Sequence, residues 1–255
     1  MPEPRPRLAQ GPARYNRTPI MLLLDRSGSM IAPHLEAREG GDVTTTRMDA
    51  LADAVKEFLT HQTNGVRGTK VGPTAEVAVG LFSGSAVEWK HVGPTENRPF
   101  TLLSDAEPVE IEVAEGEYTP LAAAVKAGVE VMNNRIAQID QDPDLSLRYR
   151  PMIYLLTDGK PEPDGQDLVG AANMLKKYAF DNMRRPHFFF YALGIGDADD
   201  SIMRQLAPDA YFPLRGHSMQ KIMRVVTATL GGDGYIAAQK LFERNMGNGR
   251  RVDDD

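Results

Sequence analysis

There is no cysteine among the 255 residues of this chain. That absence excludes a disulfide scaffold, a thiolate metal site and a cysteine nucleophile. Histidine is scarce too: His34, His61, His91, His187 and His217 stand far apart, and none of them shows the paired spacing of zinc ligands. No apolar run approaches the ~20 residues of a membrane span. The opening Met-Pro-Glu-Pro-Arg-Pro-Arg lacks the apolar core of a signal peptide. Together these features predict a cytoplasmic protein without membrane insertion. The net charge is −6, from 29 basic and 35 acidic side chains, which argues against a broad nucleic-acid surface. Arg5, Arg7, Arg14, Arg17 and the pair Arg184-Arg185 read as solvated ends rather than as a nucleic-acid footprint.

What is present suits one large α/β domain. Residues 1–17 are rich in proline and arginine and read as a flexible arm, residues 18–235 as the domain, and residues 236–255 as a polar tail. Two apolar runs lack alternation, Ile20 to Leu24 and Met152 to Leu156, as strands covered on both faces of a parallel sheet do. A third such run is Phe188 to Leu193. Residues 76–83 and 87–92 form a hairpin that supplies an antiparallel edge. Helices are predicted from about Arg47, from Pro120, over 167–182, around Ile202 to Leu206, and along Met219 to Leu230. This alternation predicts a doubly wound, mostly parallel sheet with one antiparallel edge strand and helices on both faces, a three-layer sandwich.

Chemistry concentrates where the first apolar run ends, at Asp25-Arg26-Ser27-Gly28-Ser29-Met30. A carboxylate and two hydroxyls stand there at alternate positions, at the carboxyl end of a strand, where open α/β sheets collect ligands. Gly28 is expected to let the backbone turn and aim both serines at one point. The second run ends in Thr157-Asp158-Gly159 and repeats the design. Between them Thr119-Pro120 precedes a helix whose apolar positions Leu121, Val125, Val129, Met132, Ile136 and Ile139 recur at spacings of three and four. Thr119 is expected as its N-cap with Pro120 at the first helical position. Carboxylate and hydroxyl oxygens suit Mg2+ or Mn2+ rather than zinc or copper.

These residues resemble the von Willebrand factor type A (VWA) family, whose metal-ion-dependent adhesion site (MIDAS) reads Asp-x-Ser-x-Ser, then a threonine, then an aspartate in a Thr-Asp-Gly turn. The pattern falls on Asp25, Ser27, Ser29, Thr119 and Asp158, in order. The chain looks most similar to the cytoplasmic bacterial branch of tellurium-resistance (TerY-like) proteins, through its Leu-Leu-Thr-Asp-Gly-x-Pro segment and single-domain layout. The resemblance implies that Mg2+ or Mn2+ is held by those five residues. It also implies that the ion docks an acidic motif of a partner protein, a protein kinase or phosphatase being one candidate, in a stress-response assembly. Met30, His34, Tyr118 and Glu162 are expected on the partner-binding rim. No catalytic residue is assigned.

Two other readings are open. A metal beside Asp25 could support hydrolysis or phosphoryl transfer, although no phosphate-binding glycine loop or kinase motif accompanies it. The chain could equally serve as a subunit of a chaperone-like or chelatase-like complex with an ATPase. Connecting the first strand to its helix is a long loop, Ile31 to Thr46, whose Thr44, Thr45 and Thr46 read as phosphorylation targets or as caps. Thr46 and Asp49 have the spacing of a capping box. Gly194-Ile195-Gly196-Asp197 lacks the third glycine of a dinucleotide fingerprint and reads as a turn.

Overall fold

The computed structural model describes residues 15–32, 46–60, 66–84, 86–93, 99–112, 118–158, 167–181, 186–208, 210–214, 217–230 and 240. Its strands are β1 (Tyr15–Asp25), β2 (Ala75–Ser83), β3 (Ala86–Lys90), β4 (Thr101–Leu102), β5 (Leu145–Leu147), β6 (Met152–Thr157), β7 (Phe189–Gly194) and β8 (Tyr211–Pro213). Its helices are α1 (Arg47–Thr60), α2 (Leu121–Gln141), α3 (Leu168–Leu175), α4 (Asp200–Leu206) and α5 (Met219–Thr229). Strands lie in the order β3-β2-β1-β6-β7-β8. All neighbours on this path are parallel except the edge strand β3, which returns antiparallel along β2. The two-residue β4 also pairs antiparallel with the start of β2, and β5 continues beside the start of β1.

Strand β1 begins at Tyr15, so residues 15–17 belong to the sheet and not to the arm predicted for 1–17. Pairing with β5 explains this: Tyr15 to Arg17 register against Leu145 to Leu147, a tertiary contact that local composition does not encode. The rest of the arm, the boundary at 235 and the tail after it lie outside the described residues.

Burial on both faces follows from helices on each side. Leu22, Tyr154 and Tyr191 are in register across β1, β6 and β7, and the two tyrosine rings stack at 5.1 Å. The Tyr154 hydroxyl meets Thr229 Oγ1 of α5 at 2.6 Å, and α1 packs on α5 over this face. On the other face α2 lies on β1, and α3 packs against both α2 and α4. Gly128 of α2 sits so close to β1 that a Cβ there would fall 2.6 Å from Leu23 Cδ1. Every position of the α2 stripe is buried: Leu121, Val125, Val129, Met132, Ile136 and Ile139.

At the amino-terminal end of the central strands, Glu76 is 3% exposed and sits between two arginines. Arg17 Nε reaches it at 2.9 Å, and Arg135 donates through Nε at 2.7 Å and through Nη2. An ionised carboxylate at that depth requires such pairing.

The topology fixes where a site can form. From β1 the chain goes to β2 on one side, and after α2 it returns to β6 on the other. Between the carboxyl ends of β1 and β6 lies the switch point of the sheet, where parallel connections diverge and leave a crevice. Asp25 ends β1 and Asp158 follows β6.

Candidate functional site

Thr119, Ser27, Ser29 and Asp158 form one chain of hydrogen bonds. Thr119 Oγ1 donates to Ser27 Oγ at 3.1 Å, Ser27 Oγ and Ser29 Oγ lie 3.1 Å apart, and Ser29 Oγ donates to Asp158 Oδ1 at 2.6 Å. Ser29 gives its proton to Asp158, so its oxygen can only accept in the contact with Ser27. The three hydroxyls thus link Thr119 to the Asp158 carboxylate. Asp25 joins from below: Ser27 N donates to its Oδ1 at 2.9 Å, and Thr157 Oγ1 to its Oδ2 at 2.5 Å. Asp25, Ser27, Thr119 and Asp158 are buried, whereas Ser29 is exposed. The structure thus brings together all five residues that the sequence pattern selected.

Local geometry differs from expectation in two respects. Pro120, not Thr119, occupies the N-cap position of α2, with no side-chain cap bond. The Thr119 hydroxyl is aimed across the crevice at Ser27, and Leu121 N bonds to the Thr119 carbonyl instead. The serine turn is a short 3-10 segment over Gly28–Ile31, closed by Met30 N on Ser27 O at 3.0 Å. Positive φ occurs at Gly84 and Gly196 among the described glycines, so the turn does not call on Gly28 for a left-handed conformation. Gly84, at φ 60°, donates its N–H to the Tyr118 carbonyl at 2.8 Å and so ties the β2–β3 turn to the loop that carries Thr119.

Burial drives the electrostatics of Asp25. Removal from water pushes its carboxyl up from 3.8 to about 6, against the opposing pull of hydrogen bonds from Ser27 and Thr157, and the charge of Asp158 adds to the rise. No group of three or more His, Asp or Glu side chains is placed to hold one metal ion among the described residues. An ion at this site would therefore depend on the three hydroxyls as much as on the two acids.

Of the residues assigned to the rim, Tyr118 is 63% exposed and precedes Thr119 in the chain. Met30 is a correction: it is fully buried, because the 3-10 turn folds its side chain into the core, and it does not line the rim. Its neighbour Ile31 is the exposed apolar residue there, at 47%. His34 and Glu162 lie outside the described residues, as do Thr44 and Thr45. Thr46 is engaged in the expected capping box: its N–H donates to Asp49 Oδ2 and its Oγ1 accepts from Asp49 N, each at 3.1 Å.

Sequence reasoning missed Arg47. Its Nη1 donates to Asp158 Oδ2 at 2.6 Å, and its Nη2 lies 3.6 Å from Asp197 Oδ2. The Asp158 side chain is wholly buried and that of Arg47 only 15% exposed. A signal was available, since a cation at the first position of a helix opposes the helix dipole and needs a compensating partner.

The sequence pattern of the von Willebrand factor type A domain matches residues 20–160, more than half of the chain. No curated protein matches the sequence. Among solved structures, the pilus adhesin SpaC from Lactobacillus rhamnosus GG aligns with a TM-score of 0.52 at 17% identity, over 90% of this chain and 31% of the adhesin. Its open conformation gives 0.51 at 18% identity, over 90% and 30%. Proximal thread matrix protein 1 of the mussel byssus gives 0.48 at 18%, over 85% and 48%. The chain thus spans about a third of the adhesin's length, and at these identities the likeness is one of fold.

Proposed function

From the premise that the chain belongs to the von Willebrand factor type A domain family, we propose that it is a metal-dependent protein-interaction module whose site docks an acidic side chain of a partner. The observation that carries this reading is the convergence of Asp25, Ser27, Ser29, Thr119 and Asp158, from three separate segments, into one hydrogen-bonded cluster at the switch point. Two carboxylates and three hydroxyls, with neither thiolate nor imidazole, fit a small hard cation such as Mg2+ or Mn2+. When bound, the ion supplies a positive, oxygen-seeking centre for a partner carboxylate.

The chain's own residues do the rest. Ser29 stands exposed at the mouth, with Tyr118 and Ile31 exposed on the adjoining segments. Asp25, held by Ser27 N and Thr157, anchors the serine turn from beneath. The Thr119 hydroxyl links the start of α2 to that turn, so a shift of α2 would move a ligand. Binding without catalysis is the proposed role. The TerY-like resemblance extends the proposal to a cytoplasmic assembly of the tellurium-resistance or kinase- and phosphatase-linked kind, on sequence grounds alone.

Calorimetric titration of chelator-treated protein with Mg2+ and Mn2+ tests this. Micromolar-to-millimolar binding is expected in the wild type and loss of binding in Ser27→Ala and Thr119→Val. Partner capture from the host lysate should then depend on the ion and fail in both variants. Wild-type protein that binds neither ion would overturn the proposal.

A further inference from the structure

We infer that Arg47 is a built-in counter-cation that competes with a divalent ion for Asp158 and so sets how tightly the site holds metal, an inference that rests on the metal-docking reading above. Asp158 has two oxygens. One accepts from Ser29, and the other is held by Arg47 Nη1 at 2.6 Å. The guanidinium therefore sits on the negative charge a metal would use, with little water between to screen it. Two cations drawn to one buried carboxylate repel each other, and the low local dielectric strengthens that repulsion.

Three features show that this position is built by the fold. Arg47 is the first residue of α1, where the helix dipole disfavours a cation, so its placement has a local cost that the tertiary pairing offsets. Its backbone N–H is bonded to Ala32 O at 3.0 Å, which fixes the start of α1 against the end of the serine turn. The guanidinium rests against Gly196, at φ +53°, where a Cβ would fall 2.6 Å from both Arg47 Cζ and Nη1. A glycine there gives the arginine its seat. Asp197, next along and exposed, lies 3.6 Å from Nη2 and offers the guanidinium a second acceptor within a short swing. Arg47 thus stands between a buried acid that metal would claim and a solvent-facing one that could receive it when displaced.

The test is Mn2+ titration of the full chain, followed by calorimetry and by the loss of the free-ion paramagnetic resonance signal. It compares wild type with Arg47→Met, Arg47→Gln and Arg47→Lys. Met keeps the aliphatic packing without charge, Gln removes the charge while keeping a polar end should Met prove too disruptive to fold, and Lys keeps the charge. The neutral variants should bind Mn2+ about tenfold more tightly than wild type, with Lys close to wild type. Without metal the neutral variants should melt below wild type, and Mn2+ should raise their melting temperature more than that of wild type. Wild type that binds metal while the neutral variants bind no more tightly would overturn it and leave the docking proposal standing. Failure of wild type and all variants to bind would overturn the docking proposal, and this inference with it.

Discussion

Thr157 and Asp25, at the ends of neighbouring central strands, are joined by a 2.5 Å hydrogen bond from the threonine hydroxyl to the buried carboxylate. The contact ties β6 to β1 directly beneath the site. It also supplies one of the few donors that reach a carboxylate with no access to water. Thr157→Val keeps the shape and removes the donor. A loss of about 1–3 kcal/mol in urea denaturation is expected, because a buried acceptor is left short of a partner. Asp25 should then titrate higher still, and metal affinity should fall at neutral pH.

Asp25 also makes the metal-free protein pH-dependent in a direction opposite to that of a salt-bridged acid. Its carboxyl titrates near 6 in the fold against 3.8 as a free side chain, so between these values the folded state binds more protons than the unfolded one. Stability from this group is therefore greatest below pH 4, declines as pH rises through that window, and levels off above about 6. The difference across the window amounts to about 3 kcal/mol at most. Urea denaturation in chelator at several pH values should show this decline in wild type. In Asp25→Asn it should be absent, and comparing the two removes the contribution of other titrating groups.

Glu76 provides a contrast at the opposite end of the strands. Arg135→Met removes one of the two cations that hold it and leaves the carboxylate to Arg17 alone. A cost of about 2–3 kcal/mol is expected, somewhat below that of a buried charge left wholly unpaired. Mn2+ affinity should not change, because no residue of this cluster touches the crevice between β1 and β6. An altered affinity would show that the two ends of the sheet are coupled.

Gly128→Ala tests the seating of α2. The added methyl would press on Leu23 and come within 3.3 Å of Met21 Sδ, both fully buried, so the helix must move away from the sheet. Thermal melting should register a loss of about 1–3 kcal/mol. Because Thr119 precedes the same helix, metal affinity should weaken in parallel, whereas a polar change on the outer face of α2, such as Glu130→Gln, should leave both unchanged.

Much of the architecture was legible because burial writes itself into residue type. Ile20 to Leu24 and Met152 to Leu156 carry no alternation because helices cover both faces of their strands, and the α2 stripe repeats at three and four because only one side of that helix meets the sheet. The five site residues were legible for a related reason. They sit at strand ends or just before a helix, where local sequence marks the transition, and their chemistry is unlike the apolar runs they terminate. What failed was local detail that distant atoms decide. Thr119 beside Pro120 has the local look of a cap, yet its hydroxyl found Ser27, 92 residues away in the chain. Met30 borders the ligand motif, which points to the rim, while its apolar side chain suits the core, and the turn folds it inward.

By itself, then, the sequence determined the long strands and the helices, though not the short strands β4 and β5, together with the Thr46–Asp49 cap and the identity of the candidate ligands, because each is set by spacing and side-chain chemistry within a few residues. Tertiary structure alone decided the start of β1 at Tyr15, the linking of the three hydroxyls and the pairing of Arg47 with Asp158 across 111 residues of chain. The physical reason is that these last contacts depend on which strand ends the sheet brings together, and a crossover topology places side by side residues whose own neighbourhoods hold no record of each other.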